Sequence, residues 1–404
     1  MMTSLFRLLL LSIQRCSIMI VVMMMLSTIP LTSSMRSVSL LSLPTHSPTI
    51  PIPSHSPTTS PTTCAMPTQQ YDALYALYTS TNGTGWNKKC NNWIFSSTNS
   101  DNSAPCNGWY GVSCNSQCNV TELNLPLCQL TGTIPSQLGS MTSMIYLYLN
   151  SNSLTGTIPS QLGSMTSMTG LYLYSNSLTG TIPSQLGSIT SMKYLYLYSN
   201  SLTGTIPSEL GNLNTLVWLY LQGNNLQGSV PTSILTLPKL NSINLSGNQL
   251  LGGNITSLFS SNTSKSLRYV IMSSMSLTGS LPSSLFILPE LNTLVLSSNC
   301  ITGTISSSIC ESKNLYSLIL DGVGVGSSCS SRVLRSPFHG YIPSCLFSMP
   351  FLSTLHLAGN GLIGTLPELS VNSNLTTLSL TSNRLTGICL SNHASIYHSS
   401  LMQL

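Results

Sequence analysis

The chain has 404 residues, of which 5% are charged and 42% are hydrophobic, and its formal net charge is +5. So low a charged fraction is unusual for a cytosolic globular protein. Arg7 and Arg15, together with Arg36 if cleavage falls beyond it, belong to an N-terminal region that we expect to be removed, which leaves the remainder nearly neutral. Because the sequence contains no clustered basic face, we predict that nucleic acid is not a partner.

The first segment, residues 1–34, has the pattern of a signal peptide. Arg7 and Arg15 precede an apolar run from Ile18 to Leu26, and small residues follow at Ser27, Ser33 and Ser34. Secretory signals have apolar cores of about 7–15 residues. The alternative is an uncleaved signal anchor that would hold the protein at a membrane, although the run is short of the roughly 20 residues that a spanning helix needs. We therefore expect a secreted or cell-surface protein.

Residues 35–67 form a linker rich in Pro, Ser and Thr, as in "THSPTIPIPSHSPTTSPTT". Such a segment has too few apolar residues to pack, so we predict an extended spacer that suits O-glycosylation.

Residues 68–119 are predicted to form a separate N-terminal cap. In "TQQYDALYALYTS", apolar side chains recur every three or four residues, which predicts a short amphipathic helix with Thr68 as its N-cap. The loop-rich sequence that follows carries Trp86, Trp93 and Trp109 as anchors.

The twelve cysteines suit an exported chain, because disulfides form in oxidising compartments. The six cysteines from Cys64 to Cys128 allow 15 pairings, and we predict only the pair Cys106 and Cys114. No C-x2-C spacing occurs, so zinc is not expected, and nothing else calls for a cofactor or metal. Six Asn-x-Ser/Thr sequons also suit export and are candidate N-glycosylation sites, namely Asn82, Asn119, Asn244, Asn254, Asn262 and Asn374.

Residues 120–387 consist of eleven repeats with the pattern L-x-x-L-x-L-x-x-N-x-L-x-G-x-I-P. Successive repeats are 24 residues apart for five steps and then 27, 24, 24, 37 and 23 residues apart. A period this regular predicts a leucine-rich repeat array. The Asn position is occupied by Cys128, Asn152, Asn176, Asn200, Asn224, Asn248, Met275, Asn299, Val323, Asn360 and Asn383.

Each repeat is predicted to place one short strand in a shared parallel sheet. In "YLYLYSN", Leu195 and Leu197 should point inward and the tyrosines outward, since side chains alternate along a strand. One repeat cannot bury its leucines alone, so only the stack has a core. We expect the Asn amide to satisfy backbone groups of adjacent coils. Met275 and Val323 lack that amide, so their coils are expected to be looser.

Two segments resemble plant-type leucine-rich repeat proteins. "LTGTIPSQLGSMTS" is similar to the L-x-G-x-I-P repeat, and "PCNGWYGVSC" is similar to the cap that precedes such repeats in plant receptor-like proteins and polygalacturonase-inhibiting proteins. The resemblance implies an α/β fold: a curved leucine-rich repeat solenoid with a parallel sheet on the concave face, a second short strand near Thr-x-Ile-Pro, and a disulfide-bonded cap. It also implies recognition through the concave sheet.

The chain departs from the repeat pattern in two places. An insertion at about 324–345 carries Cys329 and Cys345, which we expect to close it into a loop on the array. The last segment, residues 388–404, is a short tail in which Cys389 lacks the usual partner of a C-terminal cap.

The sequence predicts no active site. Only eight carboxylates are present. Glu122 and Asp321 should both face the concave surface, but eight coils separate them by roughly 40 Å at about 4.8 Å per strand. A glycosidase pair needs a separation of roughly 5–10 Å. His356 is expected on the same face without an acidic neighbour, and we interpret it as a solvated histidine.

The outward positions of four successive repeats are rich in aromatic residues. After Trp218 and Tyr220 the character of the outward positions changes to mostly Ser, Thr and Asn, with Tyr269, Ile271 and Val295 among them. We predict a ligand-binding patch consisting of Tyr146, Tyr148, Tyr172, Tyr174, Tyr194, Tyr196, Tyr198, Trp218 and Tyr220.

This patch predicts recognition of a protein, peptide or glycan without catalysis, because Tyr and Trp are favoured in recognition sites. Repeat duplication would also copy tyrosines, and cross-strand aromatic pairs stabilise sheets in any case. The alternatives are a structural or adhesive surface protein and, by fold analogy, an inhibitor of a secreted hydrolase.

Overall fold

The computed structural model of the chain describes residues 65–95, 104–326, 329, 338–366, 373–386 and 402–403. The predicted signal segment 1–34 and the linker up to residue 64 lie outside these residues, as does part of the insertion. None of the helices in the described ranges is long and apolar enough to cross a membrane.

The cap begins with the predicted helix, which spans Thr68–Ser80. Leu74 is fully buried and Tyr75 is exposed, so the helix packs on one face. The prediction of Thr68 as the N-cap was wrong by one residue, because Pro67 holds that position and no side chain caps the helix. The carbonyl of Pro67 accepts two backbone N–H groups of the first turn, so the backbone closes this turn without a side chain.

Aromatic rings and disulfides hold the rest of the cap together. Phe95 packs edge-on against Trp109 at 4.6 Å between ring centroids, and Trp86 packs against Trp93 at 4.9 Å. The predicted disulfide Cys106–Cys114 is confirmed. A second disulfide, Cys90–Cys128, joins the cap to the first coil, and Cys118 also takes part in a disulfide. Two short 3-10 helices lie at Gly83–Gly85 and Ala104–Asn107.

Thirteen short strands form the concave sheet. The first pair is antiparallel and the later neighbours are parallel. The central leucines align across the sheet; Leu195, for example, lies opposite Leu171 and Leu219, and all three are fully buried. The strands are Val112–Cys114, Val120–Asn124, Tyr146–Tyr148, Gly170–Tyr172, Tyr194–Tyr196, Trp218–Tyr220, Ser242–Asn244, Tyr269–Ile271, Thr293–Val295, Ser317–Ile319, Thr354–His356, Thr377–Ser379 and Met402–Gln403.

The opposite side of the array consists of short helices and a second set of short strands. The helices are Ser136–Ser140, Ser160–Ser164, Ser184–Ser188, Ser208–Asn212, Thr232–Leu235, Ile255–Leu258, Ser283–Phe286, Ser307–Glu311 and Ser344–Phe347. The second strands are Thr131–Thr133, Ser153–Thr155, Gln227–Ser229, Leu250–Asn254, Ser276–Thr278, Ile363–Gly364 and Arg384–Leu385. They confirm the second strand near Thr-x-Ile-Pro.

The repeated asparagines join one coil to the next, as predicted. The amide of Asn200 donates to the carbonyls of Leu173 and Leu197 at 3.0 Å, and its oxygen accepts from the Leu178 N–H at 3.0 Å. Asn152, Asn176, Asn224, Asn248, Asn299, Asn360 and Asn383 make equivalent bonds.

Backbone carbonyls take over where the asparagine is missing. At the Val323 coil, the Ile301 N–H donates to the Val323 carbonyl at 2.8 Å. At the Met275 coil, the Leu251 N–H donates to the Asn248 carbonyl at 3.0 Å. These coils thus keep the N–H groups satisfied without the amide.

The insertion is tied to the preceding coil at two points. Cys329 bonds Cys300, and Cys345 bonds Cys310. Cys329 and Cys345 therefore hold the insertion on the array through two separate disulfides. Neighbouring coils stack directly, so cysteines of the preceding coil are closer partners than two cysteines at opposite ends of the insertion.

Candidate functional site

The strand register brings all nine predicted aromatic residues into one cluster on the concave face, which we call the aromatic patch. Each residue pairs with the residue 24 positions later in the next strand, so equivalent side chains stand in three rows across four coils. The first row is Tyr146, Gly170, Tyr194 and Trp218; the second is Tyr148, Tyr172, Tyr196 and Tyr220; the third is Asn150, Tyr174, Tyr198 and Gln222.

The middle row forms the base of the aromatic patch. Tyr172 stacks on Tyr148 with ring centroids 4.4 Å apart, and Tyr196 stacks on Tyr220 at 4.8 Å. Only 5% of the surface of Tyr172 and 2% of that of Tyr196 is accessible to solvent. Parallel strands lie about 4.8 Å apart, so outward-pointing rings must lean and stack on one another. Two of the nine predicted contact residues therefore support the others from below.

The outer rows supply the accessible rings. Tyr194 packs on Trp218 at 5.0 Å, and Tyr174 stacks on Tyr198 at 4.4 Å with planes 7° apart. These four side chains are half-buried. Ligand contact through this patch would involve the faces and edges of these outer rings.

The aromatic patch is uncharged at neutral pH. Burial raises the pKa of Tyr148, Tyr172, Tyr196 and Tyr198 well above that of a free phenol, and the Glu122 carboxylate adds to the effect at Tyr148. The hydroxyl groups therefore stay protonated and can donate hydrogen bonds.

A line of polar side chains continues the third row beyond the aromatic patch. It runs from Gln222 through Ser246, Ser273 and Ser297 to Asp321. In the described part of the chain, Gln222 Oε1, Ser273 Oγ and Ser297 Oγ are buried without a hydrogen-bond partner. Buried polar atoms normally have partners, so this row, which we call the polar row, is suited to polar groups of a ligand. Sequence reasoning noted the change to serine but not its unsatisfied oxygens.

The expectation that His356 has no acidic neighbour was wrong. His356 Nδ1 lies 3.7 Å from Asp321 Oδ2, and Asp321 Oδ1 accepts the Ala358 N–H at 2.7 Å. Asp321 belongs to the preceding coil and lies diagonally across from His356, within reach of its ring. The pair places a carboxylate, 30% exposed, at the far end of the polar row.

The structure also shows where the candidate metal ligands and N-glycosylation sites lie. No group of three or more His, Cys, Asp or Glu residues within the described ranges is arranged to hold a metal ion. Among the candidate N-glycosylation sites, Asn82, Asn254, Asn262 and Asn374 are exposed, whereas Asn119 and Asn244 are half-buried. The oxygen of Asn119 accepts from Gln70, and that of Asn244 accepts from the Ser246 N–H.

Comparison with known proteins supports the fold. A Leucine rich repeat family model matches residues 166–226 and 190–250, and a second Leucine Rich Repeat model matches residues 143–165 and 290–312. A search of curated proteins found no match.

Three of the solved structures that are similar to this chain have TM-scores above 0.5. The PEPR1–AtPEP1 structure is 29% identical with a TM-score of 0.65, and the match covers 78% of this chain and 45% of that chain. A TDR receptor is 30% identical with a TM-score of 0.54, covering 65% and 47%. A plant ice-binding protein is 25% identical with a TM-score of 0.65, covering 80% and 97%.

This chain thus spans less than half the length of the two receptors and nearly the whole of the ice-binding protein. The repeat pattern, the stacked coils, the disulfide-bonded cap and these matches agree. The chain is a leucine-rich repeat protein of the plant type.

Proposed function

We propose that this protein is an extracellular recognition module that binds a peptide segment through the concave sheet, without catalysis. The observation that carries the proposal is the aromatic patch, in which half-exposed rings rest on the buried rings of Tyr172 and Tyr196. Rings held in this way offer a large contact area at little cost in conformational entropy.

The polar row favours a peptide as the ligand. From Tyr198 to Asp321 the row crosses five strand steps, roughly 24 Å at about 4.8 Å per strand. An extended peptide of about seven residues spans that length. Its polar groups would lie along the half-buried side chains of Gln222, Ser273 and Ser297, and the Asp321 carboxylate favours a Lys or Arg at one end.

Similarity and chemistry both support an extracellular role. The related PEPR1 was solved with AtPEP1, and the TDR protein is a receptor. Four disulfides among the described residues suit an oxidising compartment.

A phage library of random heptapeptides, panned on the immobilised full chain, tests this proposal. Enriched peptides should combine an aromatic or large aliphatic residue with a Lys or Arg. They should bind the Tyr174→Ala/Tyr198→Ala variant at least tenfold more weakly, because both rings belong to the accessible outer row. Tyr341→Ala is the matched control, since Tyr341 is 69% exposed and lies outside the aromatic patch. Enriched peptides that bind both variants as well as the unmodified chain would overturn the proposal, as would binding to a glycan array but to no peptide.

A second candidate function is binding to ice. The ice-binding structure is matched over 97% of its length. The specific observation in favour is a set of exposed threonines outside the concave sheet, in four successive Thr-Gly-Thr triplets at 131–133, 155–157, 179–181 and 203–205. Thermal hysteresis of the purified chain tests this function: a measurable freezing-point gap is expected, and none would contradict it.

A further inference from the structure

We infer that the ice-binding surface is the threonine face, defined as the eight threonines of these four triplets. The inference rests on the second candidate function above and assigns it to one side of the array. All eight side chains are exposed, whereas the concave face carries bulky, uneven aromatic rings.

In three of the four triplets, the first threonine is held by its hydroxyl group. Thr155 Oγ1 donates to the Gly132 carbonyl at 3.1 Å, and Thr179 Oγ1 donates to the Gly156 carbonyl at 3.3 Å. Thr203 donates to Gly180 in the same way. The same bond in successive coils fixes the same side-chain orientation, so the methyl groups of this row repeat regularly.

The second threonine is held by its methyl group. A Cβ on Gly180 would lie 2.7 Å from Cγ2 of Thr157, and one on Gly204 would lie 2.8 Å from Cγ2 of Thr181. Only glycine leaves room for these methyl groups at the backbone of the next coil, and Gly180 and Gly204 have φ of +74° and +75°. The invariant central glycine of the triplet thus lets each coil seat the methyl group of its neighbour.

The two rows form a two-dimensional lattice. The second threonine of one coil lies opposite the first threonine of the next, as in the pairs Thr157 with Thr179 and Thr181 with Thr203. Coils repeat at about 4.8 Å, and alternate residues of a strand are roughly 6.6 Å apart. Oxygen atoms on the faces of an ice crystal repeat on the same scale. β-Branched side chains with fixed χ1 keep such a lattice ordered before any contact with ice.

The surroundings of the threonine face favour ice over a charged or carbohydrate partner. A groove of about 1200 Å³ runs beside the threonines and is lined in three successive coils by the same Thr, Ile, Pro and Ser residues. Glu209 is its one charged lining residue, and no aromatic ring lines it. A sugar chain would find no ring to stack on, whereas water in the groove meets the same hydroxyl and methyl groups at every coil.

The test compares two double variants of the full chain in thermal hysteresis and in partition into slowly grown ice. Thr157→Lys/Thr181→Lys places long charged side chains in the middle of the threonine face. The matched control is Thr166→Lys/Thr190→Lys, because these threonines are also exposed and lie nine residues further along the same two coils. If the first variant fails to fold by circular dichroism, Thr157→Leu/Thr181→Leu replaces it without adding charge.

We expect the unmodified chain and the control to bind ice, and the threonine-face variant to lose at least tenfold in both measurements. Ice binding that survives in the threonine-face variant would overturn this assignment and leave the ice-binding function standing. If the unmodified chain has no affinity for ice, both the ice-binding function and its assignment to the threonine face are wrong. The assignment would also be overturned if the threonine-face variant lost binding to crystalline cellulose or chitin while its binding to ice stayed that of the unmodified chain.

Discussion

The ring of Tyr172 occupies the space beside Gly170, the one position in the first row of the aromatic patch that carries no aromatic side chain. A Cβ on Gly170 would lie 2.5 Å from Cε2 of Tyr172. The coils on either side carry Tyr146 and Tyr194 at this position. Gly170 therefore allows Tyr172 to fold down and become part of the base on which the outer rings rest.

Gly170→Ala should expel the Tyr172 ring from this space. Overpacking costs about 1–3 kcal/mol, and the lower flexibility of alanine offsets about 0.5–1 kcal/mol of that. We expect the free energy of unfolding in urea to fall by about 1 kcal/mol. In a Tyr172→Ala background the same change should be neutral or stabilising, since the clash is gone. Equal losses in both backgrounds would contradict the contact.

The raised tyrosine pKa values predict a loss of stability at high pH. A free phenol has a pKa of about 10, and burial raises the pKa of Tyr172 and Tyr196 above it in the folded chain. Below about pH 10 both states are protonated and stability is unaffected. Above that pH the unfolded chain releases protons that the folded chain retains, so stability should fall.

Urea midpoints measured from about pH 8 to 11 check this prediction. Tyr174→Phe/Tyr198→Phe removes two of the titrating groups, and its midpoint should fall less steeply than that of the unmodified chain. A midpoint that rises above pH 10 would contradict the burial of these rings.

Asn200→Ala should weaken the junction between its own coil and the preceding one. The change leaves the Leu178 N–H without its acceptor, whereas the carbonyls of Leu173 and Leu197 keep a second donor in Asn176 and Asn224. An unsatisfied buried group costs about 1–3 kcal/mol, so we expect a loss of about that size. Ser201→Ala, at the exposed next position, should change stability by less than about 0.5 kcal/mol. Similar losses for the two variants would argue against the asparagine bonds.

The disulfide Cys310–Cys345 should stabilise the insertion coil. It closes a loop of 35 residues, for which chain-entropy reasoning gives about 3–4 kcal/mol. Cys310→Ser/Cys345→Ser should lower the melting temperature accordingly. Peptide mapping without reduction should recover Cys310 linked to Cys345 and Cys300 linked to Cys329. A peptide linking Cys329 to Cys345 would refute these pairings.

Much of the fold follows from the sequence because the repeat is a local rule. A period of 24 residues aligns Leu171, Leu195 and Leu219, and the same alignment places the amide of Asn200 at the junction of its neighbours. These features depend on position within the repeat and not on the particular neighbours, so a single sequence was enough to predict them.

The details of the candidate site depend on side-chain packing and could not be predicted in the same way. Strand alternation indicates that the side chains of Tyr172 and Tyr196 point outward from the sheet, but it does not show that adjacent rings then cover them. His356 and Asp321 meet diagonally across two neighbouring coils. The prediction that His356 has no acidic neighbour looked only along the row of His356 and therefore missed this contact. The free oxygens of the polar row depend on the rotamers that neighbouring residues adopt.

Hydroxyl-radical footprinting of the full chain, with and without a heptapeptide from the phage selection, tests recognition through the concave face most directly. The peptide should protect Tyr174, Tyr198 and Trp218, with Tyr75 and Tyr341 labelled as before. Protection confined to Tyr75 or Tyr341, or no change at the outer rings of the aromatic patch, would contradict recognition through the concave face.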